Sequence, residues 1–105
     1  MNRVYMTALA LMCALAPLGP AHAGGDPEAG RAKAVVCSAC HGPDGNSTNP
    51  IWPKLAGQHE VYLAKQIRAF KSGERTDATM APMMNLIKEE DIDDIAAFYA
   101  SQKPK

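Results

Sequence analysis

Downstream of residue 25, apolar side chains recur at helical spacing in separate stretches, with aperiodic polar segments between them. Asp26 reads as an N-cap, Pro27 suits the first helical position and Glu28 the first turn, so a first helix is expected to run to about Ser38. Residues 42–57 contain Gly42, Pro43, Gly45, Pro50, Pro53 and Gly57, which is the composition of an irregular loop. A second helix is predicted over about 58–72, with Val61, Leu63, Ile67 and Phe70 inward and Gly73 as its stop. Residues 74–88 read as loop. A third helix, about 89–102, places Ile92, Ile95, Ala96 and Tyr99 on one buried face, and Pro104 lies beyond its end. There is no strand-like alternation and no internal repeat. The pattern is all-α: three main helices and two long loops.

The N-terminus has a different logic. Arg3 precedes an apolar stretch from Val4 to Leu18, Pro17, Gly19 and Pro20 interrupt it, and Ala21-His22-Ala23 has the small-x-small form of a signal-peptidase site. Residues 1–23 are therefore expected to be a cleaved signal peptide and 24–105 one exported domain, in the periplasm, with no stable membrane insertion after cleavage. A membrane anchor would need roughly 20 uninterrupted apolar residues. A lipoprotein reading of Cys13 meets bulky Met12 where a small residue is expected. Cleavage removes Cys13 and His22, leaving Cys37 and Cys40 as the exported chain's cysteines. So small a domain buries a limited core and normally needs a staple.

Cys37-Ser38-Ala39-Cys40-His41 supplies one. A C-x-x-C-H run attaches c-type haem: both sulfurs reach one edge of the macrocycle as thioethers, and the histidine offers an imidazole nitrogen to the iron. A structural zinc site would need a second ligand pair, and the later histidine is His59 alone. A thioredoxin-like pair needs a βαβ context, and a Cys37–Cys40 disulfide would close too small a loop to stabilise much. Haem c, one per chain with its iron, is the expected cofactor and the centre on which the helices pack.

Charge adds little. The chain has 11 Lys and Arg against 11 Asp and Glu, with no basic cluster of the kind that tracks phosphates, so no nucleic-acid partner is implied. Glu89, Glu90, Asp91, Asp93 and Asp94 concentrate acidity at the start of the third helix, as a solvated face or a docking patch for a basic partner. Methionine is more informative. Met80, Met83 and Met84 are the methionines left after leader removal, and they fall within five residues. Methionine often fills core gaps, but a thioether opposite a haem-attachment motif also suits the second axial position.

Further residues carry a resemblance. Pro53-Lys54-Leu55-Ala56-Gly57-Gln58, Tyr62-Leu63, Gln66, Phe70, Gly73, Arg75, Met80 and the run Asp91-Ile92-Asp93-Asp94-Ile95-Ala96-Ala97-Phe98-Tyr99 resemble a class I c-type cytochrome, of the cytochrome c4 or single-haem c553 type. The resemblance covers about Gly25 to Gln102. It implies a small class I fold around one covalently attached haem, with Cys37 and Cys40 bonded to it. It selects Met80, by its spacing from Arg75 and Ile87, as iron ligand beside His41, with Met83 and Met84 packing near the haem edge. It also implies that the Pro53 backbone carbonyl accepts a hydrogen bond from His41, and that Gly30 lets the last helix approach, with Phe98 as the contact.

Two departures stand out: Lys88 occupies a position where Ser or Thr usually caps the last helix, and the sequence holds one module, so no internal partner haem is expected. The implied role is electron transfer, as both axial positions are filled, with transient redox donor and acceptor proteins as partners and no catalytic residue. Two alternatives stay open. The chain could be the haem subunit of a larger periplasmic dehydrogenase, or a haem protein whose sixth position is open to small molecules or taken by His59.

Overall fold

The computed structural model describes residues 24–105, and the expected signal peptide with its cleavage site after Ala23 lies outside them. Helix α1 spans Pro27–Lys33, with the Asp26 side chain accepting from the Glu28 N–H as the N-cap. The single helix expected to about Ser38 is in fact two, because a turn at Ala34 separates α1 from α2, Val35–His41. The break has a tertiary cause. Ala34 is 2% exposed, and its carbonyl accepts both from the Cys37 N–H at 2.9 Å and from the Tyr99 hydroxyl at 3.4 Å. The tightened turn re-aims the chain, and α2 then continues through His41 to Gly42, whose φ of 84° lies in the region glycine tolerates.

Residues 42–57 form the irregular loop the prolines and glycines predict. Helix α3 spans Glu60–Ser72 and ends at Gly73, a left-handed C-cap at φ 82°. Its inward face differs from expectation at one end. Leu63 and Ala64 are buried and Ile67 and Phe70 pack against the core, but Val61 is 83% exposed. The stripe 63, 64, 67, 70 follows the 3–4 residue repeat, and Val61, two positions before Leu63, falls off it.

Residues 74–88 are not all loop. They contain a short helix α4, Met80–Met83, followed by a 3-10 turn, Met84–Leu86. Burial of Met84 and Ile87 at 4% and 3% exposure seats this segment on the core. A second 3-10 turn, Glu89–Asp91, leads into α5, Ile92–Ala100, whose Ile92, Ile95, Ala96 and Tyr99 are buried as expected, together with Ala97 and Phe98. Lys88 precedes this entry in extended backbone and makes no side-chain cap.

The first and last helices cross at Gly30. A side-chain carbon there would overlap the carbonyl of Asp94 and come within 2.9 Å of Phe98 Cβ, so the closest approach is to α5 backbone, with Phe98 second. Asp94 also accepts from the Asp26 N–H at 2.8 Å and pairs with Lys33 at 2.6 Å. The acidic cluster is largely consumed by such ties: Lys33 also meets Asp91 at 3.1 Å, and Arg68 of α3 meets Glu89 at 2.6 Å and Asp93 at 3.0 Å. Among the described residues no helix is long and apolar enough to cross a membrane.

Candidate functional site

Helix α2 brings Cys37, Cys40 and His41 into two turns of one short helix. Residues three apart on a helix share a face, so the two sulfurs lie along one side while the next residue turns away. Neither cysteine is in a disulfide, and both are partly buried. Burial pushes the Cys37 thiol above the usual range, partly offset by a hydrogen bond with Tyr99. Burial likewise raises the Tyr99 phenol, with Cys37 adding to it. A cysteine held protonated in this way lacks the thiolate character of a redox-active pair.

His41 is only 6% exposed, and its Nδ1 lies 2.8 Å from the Pro53 carbonyl oxygen. A carbonyl can only accept, so Nδ1 carries a proton, and the tautomer this selects has its lone pair on Nε2. Orientation of a metal-binding imidazole through its other nitrogen is the usual arrangement. The loop that supplies Pro53 is itself closed. Gly45 O accepts from the Leu55 and Ala56 N–H groups at 2.8 and 3.1 Å, and Gly57 N–H donates to Tyr99 O at 3.0 Å. The C-terminal tail closes it further: Asn46 Nδ2 donates to Lys103 O at 3.0 Å, the Lys105 N–H donates to Asn46 Oδ1 at 2.9 Å, and Lys105 pairs with Asp44 at 3.0 Å. Hydrogen bonds from the Asn46 side chain, and then from Lys105, hold the Asp44 carboxyl well below the ordinary range.

Met80 opens α4 and is partly buried, packed with Met83 against the core, whereas Met84 belongs to the core itself. Two residues that the sequence reading passed over hold this segment. Asp77 Oδ1 accepts from the Thr79 and Met80 N–H groups at 2.8 and 3.0 Å. Lys71 Nζ donates to Met84 O at 3.1 Å and Ile87 O at 2.6 Å. An Asp two or three positions before a helical start is a readable capping signal, but the lysine reaches its acceptors only through the fold. Arg75 stacks over the Phe70 ring at 4.4 Å and donates to Gln66 Oε1 at 2.8 Å. His59, on which the zinc and bis-histidine alternatives depend, stands exposed before α3.

The donors suit a covalent haem: two unbridged thiols on one helical side, an imidazole with Nε2 free, thioethers on a separate segment, and apolar Leu55, Ile67 and Phe70 only partly buried around the core. The chain matches the family model for cytochrome c over residues 28–103. It is 52% identical over 103 residues to cytochrome c4 of Pseudomonas aeruginosa, a match covering 98% of this chain and 50% of that protein. It is 46% identical over 82 residues to cytochrome c-554(548) of Halomonas halodenitrificans, covering 75% of this chain and 99% of that one. The fold superposes on reduced recombinant cytochrome c4 from Pseudomonas stutzeri with a TM-score of 0.73 and 46% identity, over 77% of this chain and 47% of that one. The chain thus spans about half the length of the cytochrome c4 relatives it matches. A match reaching from the first turn of α1 to the tail behind α5, on an all-α fold of the class I type, places the chain in the cytochrome c family, whose members carry covalently bound haem c.

Proposed function

We propose that this chain is a carrier of single electrons, with Cys37 and Cys40 bonded to haem c, His41 and Met80 as axial iron ligands, and no catalytic residue of its own. The observation that carries this reading is the buried His41 ring, whose Nδ1–H donates to Pro53 O at 2.8 Å, on the helix that also bears both cysteines. When bound, the haem supplies an iron that alternates between the ferric and ferrous states. The Pro53 carbonyl holds the imidazole in one tautomer and orientation, so the ligand need not move when the charge on the metal changes. A methionine thioether as the other ligand raises the potential relative to a second imidazole. With His41 and Met80 both holding the iron, no position would remain for a small-molecule substrate, which favours electron transfer over an open-site haem protein.

Residues 1–23 act, in this proposal, as a signal peptide cleaved after Ala23, which puts the domain in the periplasm. Its partners are a redox donor and a redox acceptor, each meeting it through a small, transient contact. The test is the far-red absorption band of a ferric iron–methionine bond in the holoprotein. It is expected in the wild type and lost in Met80→Ala. Absence from the wild type, or survival in the variant, overturns the ligand assignment.

A further inference from the structure

The segment carrying Met80 has little means of holding itself. Helix α4 has four residues, Met80–Met83, and its Ala81 and Pro82 are exposed. A helix of that length is far below what is stable alone. Two side chains from outside close its ends. At the N-terminal end the Asp77 carboxylate accepts from the Thr79 and Met80 N–H groups, while the Asp77 carbonyl takes the Ala81 N–H at 2.9 Å. Those backbone donors hold the Asp77 carboxyl below its usual range. At the C-terminal end Lys71, on α3, gives one ammonium to the carbonyls of Met84 and Ile87, on either side of the 3-10 turn's exit. Backbone donors at the start of this segment and carbonyls at its end are thus met by an anion and a cation respectively, in the sense that the helix dipole favours.

We infer that Asp77 and Lys71 are positioning residues for Met80: they hold the Met80–Leu86 segment at both ends and so fix where its thioether is presented. This inference rests on the reading of Met80 as an iron ligand. Neither residue touches the iron. A neutral thioether is a soft ligand, so its occupancy of the metal depends on how firmly the backbone beneath it is placed. Met84 and Ile87 are themselves buried, at 4% and 3% exposure, so the segment has an apolar anchor besides the two clamps, and loss of either clamp should act locally.

The experiment follows the far-red iron–methionine band and the far-UV circular dichroism of the ferric holoprotein along one denaturant titration. The variants are Asp77→Ala, Asp77→Asn, Lys71→Met and Met80→Ala. In Asp77→Ala the fraction with Met80 released is expected to rise about fivefold, the consequence of losing one cap. The midpoint of the band should fall further than that of the helical signal. Asp77→Asn keeps an acceptor oxygen and should restore most of the band. Lys71→Met keeps the apolar stem and removes the donor, and it gives the same separation of midpoints if the alanine variant does not accumulate. Band and helical midpoints that move together, or a band unchanged in both Asp77→Ala and Lys71→Met, overturn this inference and leave the ligand assignment standing. A wild type without the band, or a band surviving Met80→Ala, overturns both.

Discussion

The two candidate iron ligands are held in opposite ways. His41 is 6% exposed, sits in a helix, and bonds through Nδ1 to a loop that is itself closed onto α5 and the C-terminal tail. Met80 opens a four-residue helix whose ends depend on Asp77 and Lys71. The histidine side is therefore part of the global fold, whereas the methionine side is a local structure docked on it. A perturbation of the scaffold should loosen both ligands together, and a perturbation of the docked segment should release the thioether alone. Local and global opening of one domain are separable in this sense, since stability is not uniform across a structure.

The largest expected effect comes from the crossing of α1 and α5. Gly30→Val puts branched carbons against the Asp94 carbonyl and Phe98 Cβ, both of which are fixed by α5. Overpacking of this kind costs about 1–3 kcal/mol, and contact with backbone places the variant at the upper end. Thermal unfolding of the holoprotein should show a lowered midpoint with the far-red band and the helical signal lost in one step. An unchanged midpoint would remove the crossing from the account of stability, and a separate loss of the band would break the contrast between the two sides.

A smaller change sharpens the same contrast from the histidine side. Asn46 bridges loop and tail through Lys103 O and the Lys105 N–H, at 3.0 and 2.9 Å. Asn46→Ala should cost about 1 kcal/mol, the usual net value for hydrogen bonds of this kind. Amide exchange should quicken at Leu55 and Ala56, whose N–H groups close the loop on Gly45 O, and stay unchanged at Met80. Faster exchange at Met80 would mean that the two sides are coupled and that the clamps are not independent.

What could be read from the chain divides along the same line. The Asp26–Pro27 start and the Gly73 stop are local signals, and each falls where the sequence puts it, whereas Cys37–His41 stand on a separate helix, α2, and not at the end of the first. The turn at Ala34 was not legible because its cause, the Tyr99 hydroxyl, lies 65 residues away. Val61 is apolar and stands in a helix, yet the stripe that packs on the core runs through Leu63, Ala64, Ile67 and Phe70, and Val61 falls off it. Helix α4 was missed for the reason that makes it interesting. Its own residues have too little length and periodicity to announce a helix, and it exists through an aspartate before it and a lysine on another element. The candidate site is readable as a motif where covalent chemistry demands a fixed spacing, and its support is not, because the fold supplies it.

The smallest expected effect is on pH, and it tests how far the Lys33–Asp94 charge pair ties the scaffold side together. The Lys33 side chain, and then the Asp26 N–H, hold the Asp94 carboxyl below its ordinary range. A carboxyl whose folded pKa lies below its unfolded value, about 3.9, contributes stability that is fully present above that value and is lost as pH falls through the folded pKa. Asp94→Asn keeps an acceptor for the Asp26 N–H and removes the charge that Lys33 meets at 2.6 Å. The wild type should therefore be more stable than the variant near pH 6, with the gap closing as the solution is acidified below about pH 4. The gap is modest because the pair is partly open to solvent, with side chains 33% and 20% exposed, and it should narrow in high salt. Denaturant titrations of both proteins along a pH series measure it. Because Asp94 belongs to the α1–α5 crossing, the far-red band should follow the overall transition at every pH. Parallel stability curves for wild type and variant would show that the Lys33–Asp94 charge pair does not hold the crossing.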